Sequence, residues 1–501
     1  MNKFVCGLAL QILLFCNPSA QSAQPTPRAS APDPAQTAPA LLATARDAMG
    51  FSHIANRVLY SKAVTLSEQN YQSDRTYPPF FAAVNDEEIW FDPGNGVLRV
   101  QSQGMFPGSG PLPVSTNIDD GTNVQLTRGE RTTAISRRQA GGRYLNAFAV
   151  IRDWSAAHDV RVAGSERYRD YPRIVLTRNT SQGEQRLYVD PKTGFPVKLD
   201  FFEPHYLWGQ RHIEYVWSNW TMTGGVVLPG SAFRIADGDV ELSQTVGATE
   251  LIPPSAAPSL TPPQAPAKPP ADLPMFLQPL PPQAIPVSES LYLLSNPGYN
   301  EVIARANDEI YIFDATQGEE RAKQDAAEIR KLFPGAHKLN VVVTDLAWPH
   351  IAGVRYWVSQ GATIIAHAAA RDFLLRVIDR RWTLSPDSLE RKRRRDGDGV
   401  KLSFLPVDRE LSLAGGAVKV APIDGIGSEV ALVAFVLKER FLWASDYIQS
   451  LDKPSLYAGE VVQAAKRTGF APDVVAAEHL PVTDWKVVQS MQLGSAVAGP
   501  Q

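Results

Sequence analysis

The stretch LNVVVTDLAWPHIAGVRYWVSQGATIIAH, Leu339 to His367, decides the fold of the chain's second half. The apolar run Leu339 to Val343 predicts a buried strand, and Thr344 to His350 a short loop. Gly353 to Gln360 predicts a helix stopped by Gly361, because its apolar residues recur at helical spacing and glycine readily ends a helix. Thr363 to Ala366 predicts the next strand. A strand, loop, helix and strand in this order make one unit of an α/β layer fold.

The loop itself, Thr344-Asp345-Leu346-Ala347-Trp348-Pro349-His350, resembles the signature of the metallo-β-lactamase fold, T-H-x-H-x-D-H, which follows such a strand and runs into such a helix. In that family the two leading histidines and a later third hold one zinc. The loop aspartate, the last loop histidine, a bridging aspartate and a distant histidine serve the second. Here Asp345 stands at the first histidine, Ala347 at the second and Pro349 at the aspartate, and only His350 is unchanged. Alanine and proline carry no side-chain donor, so most of the metal chemistry the resemblance implies has been removed. Leu346, Trp348, Pro349 and Ile351-Ala352 make this segment apolar, which suits an apolar ligand or a protein partner better than a hydroxide.

The resemblance extends over residues 287–491 and implies an αββα sandwich. Asn300 to Asp314 predicts two strands joined at Asn307-Asp308, and Glu319 to Leu332 a helix with Ala322, Ala326, Ile329 and Leu332 on one side. Ser428 to Asp446 resembles the family hairpin that ends on the bridging aspartate, placing Asp446 there. Counting back, the third histidine falls on Gly427, with Asp424 nearby as a substitute. Ala477-Glu478-His479-Leu480-Pro481-Val482-Thr483 resembles the family's G-H-G-P-V-T and aligns His479 with the last histidine, with Glu478 and Leu480 in place of glycines.

The resemblance therefore leaves His350, Asp446 and His479 as residual second-site ligands, two imidazoles and a carboxylate with an open fourth position. Against that stands a structural role for each: His350 capping or packing at a helix start, Asp446 accepting backbone N–H groups at a strand end, His479 pairing with Glu478. The expectation is a noncatalytic protein without a cofactor. The alternative is a single-zinc hydrolase using His350, Asp446 and His479, with Asp345 as base; β-lactam cleavage is not implied, because the fold serves several ester and thioester chemistries.

Outward from this unit, 501 residues exceed what one hydrophobic core usually supports, and 44% hydrophobic with 20% charged residues is a globular composition. A formal net charge of -3 gives no electrostatic case for nucleic acid. Residues 1–23 have the pattern of a secretory signal: Lys3, an apolar run from Val5 to Phe15 too short to span a bilayer, then small residues. The rival reading, a lipid anchor on Cys16, conflicts with Phe15, where a small residue is usual. Both cysteines, Cys6 and Cys16, fall in this leader, so the mature chain suits the periplasm and is peripheral to a membrane at most.

Residues 24–40 read as a flexible tether. Residues 41–252 read as a mostly antiparallel β domain: one helix over Leu41 to Met49, then alternating runs at residues 88–91, 97–100, 186–189 and 197–201 separated by turn residues. Asp190-Pro191-Lys192-Thr193-Gly194-Phe195-Pro196 and the segment Tyr215 to Pro229 resemble hairpins of the lipoprotein-carrier half-barrel. That resemblance implies an apolar or acyl ligand inside the domain. Trp90, Trp208, Trp217 and Trp220 read as its lining or as ordinary core, and Glu203, His205 and His212 as a solvated strand end. Residues 253–286, dense in proline, read as a semi-rigid spacer, residues 492–501 as a tail, and the basic run Glu390 to Arg395 as an exposed loop.

Overall fold

The computed structural model describes residues 37–495 apart from 69–75, 79, 81, 107–109, 137–140, 181–182, 267, 269–272, 274–276, 336, 398, 424, 426–428 and 452–455. The leader, most of the tether, the end of the tail, Asp424 and Gly427 lie outside the described residues. Two modules follow one another along the chain, each built on its own sheet system.

The first is a 14-stranded antiparallel sheet whose path runs from Arg131–Ile135 at one edge to Arg161–Tyr168 at the other. Two helices, Ala38–Met49 and Ala147–Ala156, cover one face. Leu42, Met49, Phe148 and Trp154 pack there against Phe91, Leu187, Leu199 and Trp217. The first helix is closed at its start by Thr37, whose side chain accepts from Ala40 N–H, and at its end by Gly50 in the left-handed region. A side chain at Gly50 is excluded twice, by φ of 76° and by Gly225 O, 2.2 Å from where a Cβ would stand. The Asp190 turn folds as its residues dictate. Asp190 Oδ1 accepts from Lys192 N–H at 2.8 Å and Thr193 N–H at 3.1 Å, and Gly194 takes φ of 76°, so the strands Gly183–Val189 and Pro196–His205 pair across it.

The second module holds a seven-stranded sheet, Gln283–Pro286 to Ser403–Val407, against a six-stranded sheet, Leu411–Leu413 to Leu480–Asp484. Leu293, Val302, Phe313 and Val342 from one meet Val420, Leu432 and Trp443 from the other. Ile303, Ile312 and Val341, on the opposite face of the first sheet, pack under the helices Glu319–Leu332 and Val354–Ser359. Helix Leu456–Arg467 covers the second sheet. This helix, sheet, sheet, helix order is the αββα sandwich expected. The near-continuous burial of its strands explains why they read as apolar runs without alternation.

Several expectations shift. The first four-residue strand of the sandwich, Gln283–Pro286, comes from the end of the proline-rich segment, on the sheet edge where proline is tolerated. The run around Glu390 to Arg395 is not a loop. It is the helix Ser388–Asp396, capped by Asp387, whose side chain accepts from Glu390 N–H at 2.7 Å. Part of its charge is bound internally: Arg393 donates to Ile378 O at 2.8 Å, Lys392 to Ser359 O at 2.6 Å, and buried Glu390 receives Arg381. Trp217 is core and donates to Leu145 O at 3.1 Å, while Trp220 stacks on Phe195 and Trp90 on Tyr60. Trp208 leaves its own module altogether and packs edge-on against Phe373 of the sandwich.

Candidate functional site

At one end of the sandwich, strand-end loops from both sheets converge. The strand Lys338–Val342 delivers Thr344 to His350, Phe441–Trp443 delivers Ser445 and Asp446, and the turn between Val474–Ala477 and Leu480–Asp484 delivers Glu478 and His479. The first loop is anchored by Asp314, whose oxygens accept from Thr344 N–H at 2.7 Å, Thr344 Oγ1 at 2.5 Å and Trp443 Nε1 at 2.7 Å. Burial pushes the Asp314 carboxyl up to about 6 despite those donors.

His350, Asp446 and His479 do come together: one ligand-type atom from each lies within 4.8 Å of the others. Their neighbours decide what they are. His350 Nδ1 lies 2.9 Å from Asp345 Oδ1, and His350 Nε2 lies 2.8 Å from Glu478 Oε2, so both ring nitrogens face carboxylates. All three side chains are buried. Burial alone would depress the imidazole, but Asp345 and Glu478 outweigh it and hold His350 well above its ordinary value. Burial likewise raises Glu478 well above the usual carboxylate range, and His350 opposes that rise. His350 thus lies between two acids and is not a helix cap, since the helix Val354–Ser359 starts after Gly353.

Glu478, adjacent in sequence to His479, reaches His350 instead. His479 turns Nε2 toward Asp446 Oδ1 at 3.3 Å, and its ring packs on Tyr299 with centroids 4.8 Å apart. Burial, reinforced by His350, lowers His479 to about 4, so it is neutral at physiological pH. Asp446 Oδ2 accepts from Gln449 Nε2 at 3.0 Å. Asp345 is fully buried and accepts from Ala347 N–H at 2.6 Å, a brace within the loop rather than a base facing solvent.

Zinc requires lone pairs that are free of protons and aimed at one point. At the first-site positions Ala347 offers no donor and Asp345 is engaged by His350. At the second, Asp446 and His479 present suitable atoms; His350 Nδ1 is hydrogen-bonded to Asp345, while Nε2 lies 2.8 Å from Glu478 Oε2, an oxygen without a hydrogen-bond partner. The three ligand-type atoms converge, and what a zinc would have to displace is the Glu478 carboxyl beside His350 Nε2. Glu203, His205 and His212 do not meet one another: Glu203 pairs with Arg234, His205 packs on Trp348, and His212 joins Asp200 and Glu214, with ligand-type atoms within 4.8 Å of one another.

Sequence reasoning missed Asp314, Tyr299 and the partner of Glu478. The signal for Glu478 was present as an acid beside a histidine, but not its direction.

No family model and no curated protein matches the chain. Solved structures similar to it include DIM-1 metallo-β-lactamase, 15% identical, spanning 44% of this chain and 98% of that one with a TM-score of 0.34. The metallo-β-lactamase from Pontibacter korlensis is 12% identical, spanning 42% and 98% with a TM-score of 0.33. VMB-1 is 13% identical, spanning 43% and 98% with a TM-score of 0.33.

Proposed function

We propose that the chain is an exported, noncatalytic binding or assembly protein of the bacterial cell envelope, whose sandwich keeps a hydrolase-like fold with its metal chemistry dismantled. The observation that carries this is the clamp: His350 has a carboxylate within 2.9 Å of one ring nitrogen and another within 2.8 Å of the other. The test is zinc content of the mature protein after loading and desalting, beside His350→Ala/Asp446→Ala. No stoichiometric zinc in either protein is expected; one zinc per chain, lost in the variant, overturns the reading.

That same outcome would justify a hydrolase screen for the second reading, a single-zinc hydrolase through His350, Asp446 and His479. One observation favours it: ligand-type atoms of His350, Asp446 and His479 all lie within 4.8 Å of one another.

For the first module we propose an apolar or acyl ligand on the sheet face opposite the helices, because Leu187 and Trp217 and the helices fill the other. Leu66, Val84 and Met105 lie side by side on three neighbouring strands and are exposed. They continue a trough of about 500 Å³ that Val64 and Val114 help to line.

A further inference from the structure

We propose that the loop Thr344 to His350 now serves as an intramolecular recognition surface: it is the socket for the turn between strands Pro196–His205 and Gly209–Thr223, and this joint makes the two modules one cooperative unit. The turn reads His205-Tyr206-Leu207-Trp208-Gly209. A solvent-facing hairpin turn is normally polar, and one carrying leucine, tyrosine and tryptophan needs somewhere to put them. Leu207 is fully buried, within the hydrophobic cluster of the sandwich rather than that of its own sheet.

Trp348 is the counterpart in the loop. Its ring meets His205 edge-on at 5.3 Å and Trp208 at 6.0 Å, and the Arg211 guanidinium lies 5.5 Å above it. Arg211 is itself buried and is charge-balanced by Asp237 at 3.1 Å and by Glu241. From the sandwich, Arg380 donates to Gln210 O at 2.7 Å and Asp237 Oδ2 at 2.8 Å, tying the same turn down from its other side. The approach is close enough to require glycine. A Cβ on Gly209 would stand 2.6 Å from the Trp382 indole.

A semi-rigid proline-rich connection spaces two domains but does not by itself dock one on the other. Here apolar surface, a buried arginine and a glycine-only contact are matched across the joint, and the connection raises the effective concentration of one face at the other. The proposal does not depend on whether a metal binds the second module.

Scanning calorimetry of the mature full-length protein tests it, with one heat-absorption peak expected. Leu207→Asp should split that peak in two while far-ultraviolet circular dichroism keeps its strand signal. Should Leu207→Asp fail to fold, Trp348→Ala and Arg380→Gln remain; in both, amide hydrogen exchange over residues 205–211 should accelerate about tenfold as the joint opens locally. Two separate peaks in the unmodified protein, or unchanged exchange in both milder variants, would overturn it.

Discussion

His350 stands between two buried acids, so replacing its imidazole leaves both without the one neighbour that can carry a positive charge between them. Neither Asp345 nor Glu478 has solvent to turn to. His350→Gln should cost about 3–5 kcal/mol, the range for breaking one side of a buried ion pair. A histidine whose folded pKa is raised contributes fully below its unfolded value near ~6.5 and loses that contribution as pH rises through the raised one. The deficit of His350→Gln, read from urea denaturation at a series of pH values, should therefore shrink toward alkaline pH. His350→Gln/Glu478→Gln should recover part of it, since one stranded acid is gone. A deficit independent of pH, with no recovery, would place His350 outside any clamp. At this scale the sequence was informative about identity: His350, Asp446 and His479 were singled out, and they meet. It was silent about pairing, because the loop that brings Glu478 is distant in the chain and its side-chain direction depends on how two sheets are packed.

Among the elements, the helix Glu319–Leu332 has the bounds expected for it, because its apolar stripe and polar face are a strong local pattern. The helix Ser388–Asp396 has a weak pattern, and its charges suggested a solvated loop. What holds it is tertiary. Glu390 is buried and bound by Arg381 at 2.9 Å, which lowers its carboxyl to about 2, and Asp387 both caps the helix and pairs with buried Arg355 at 2.5 Å. Glu390→Gln should lower stability by about 1–2 kcal/mol, less than a fully buried pair would, because Arg381 and Arg394 are half exposed and keep solvent. Thermal unfolding checks this, and proteolysis after Arg391 to Arg395 should quicken in parallel. An unshifted midpoint would mean that the basic run is an independent surface helix.

Taken whole, the molecule has one sheet whose apolar row faces solvent and one sandwich whose loop end is sealed by buried charges. If the exposed row of Leu66, Val84 and Met105 receives an apolar ligand, a fluorescent fatty acid should bind the mature protein. Met105→Asp should weaken that binding at least about tenfold, since it sets a charge against an acyl chain. Binding that survives Met105→Asp unchanged would move the ligand elsewhere. By itself the sequence determined the layered α/β character of residues 287–491, the antiparallel character of residues 41–252, the position of the loop Thr344 to His350 and its loss of donors. These follow from local periodicity, turn residues and side-chain type. Tertiary structure alone decided that His350 lies between Asp345 and Glu478, that Trp208 and Leu207 belong to the sandwich, and that the basic run is a braced helix. Each depends on which groups meet across long separations in the chain, and burial then fixes their charge and their partners.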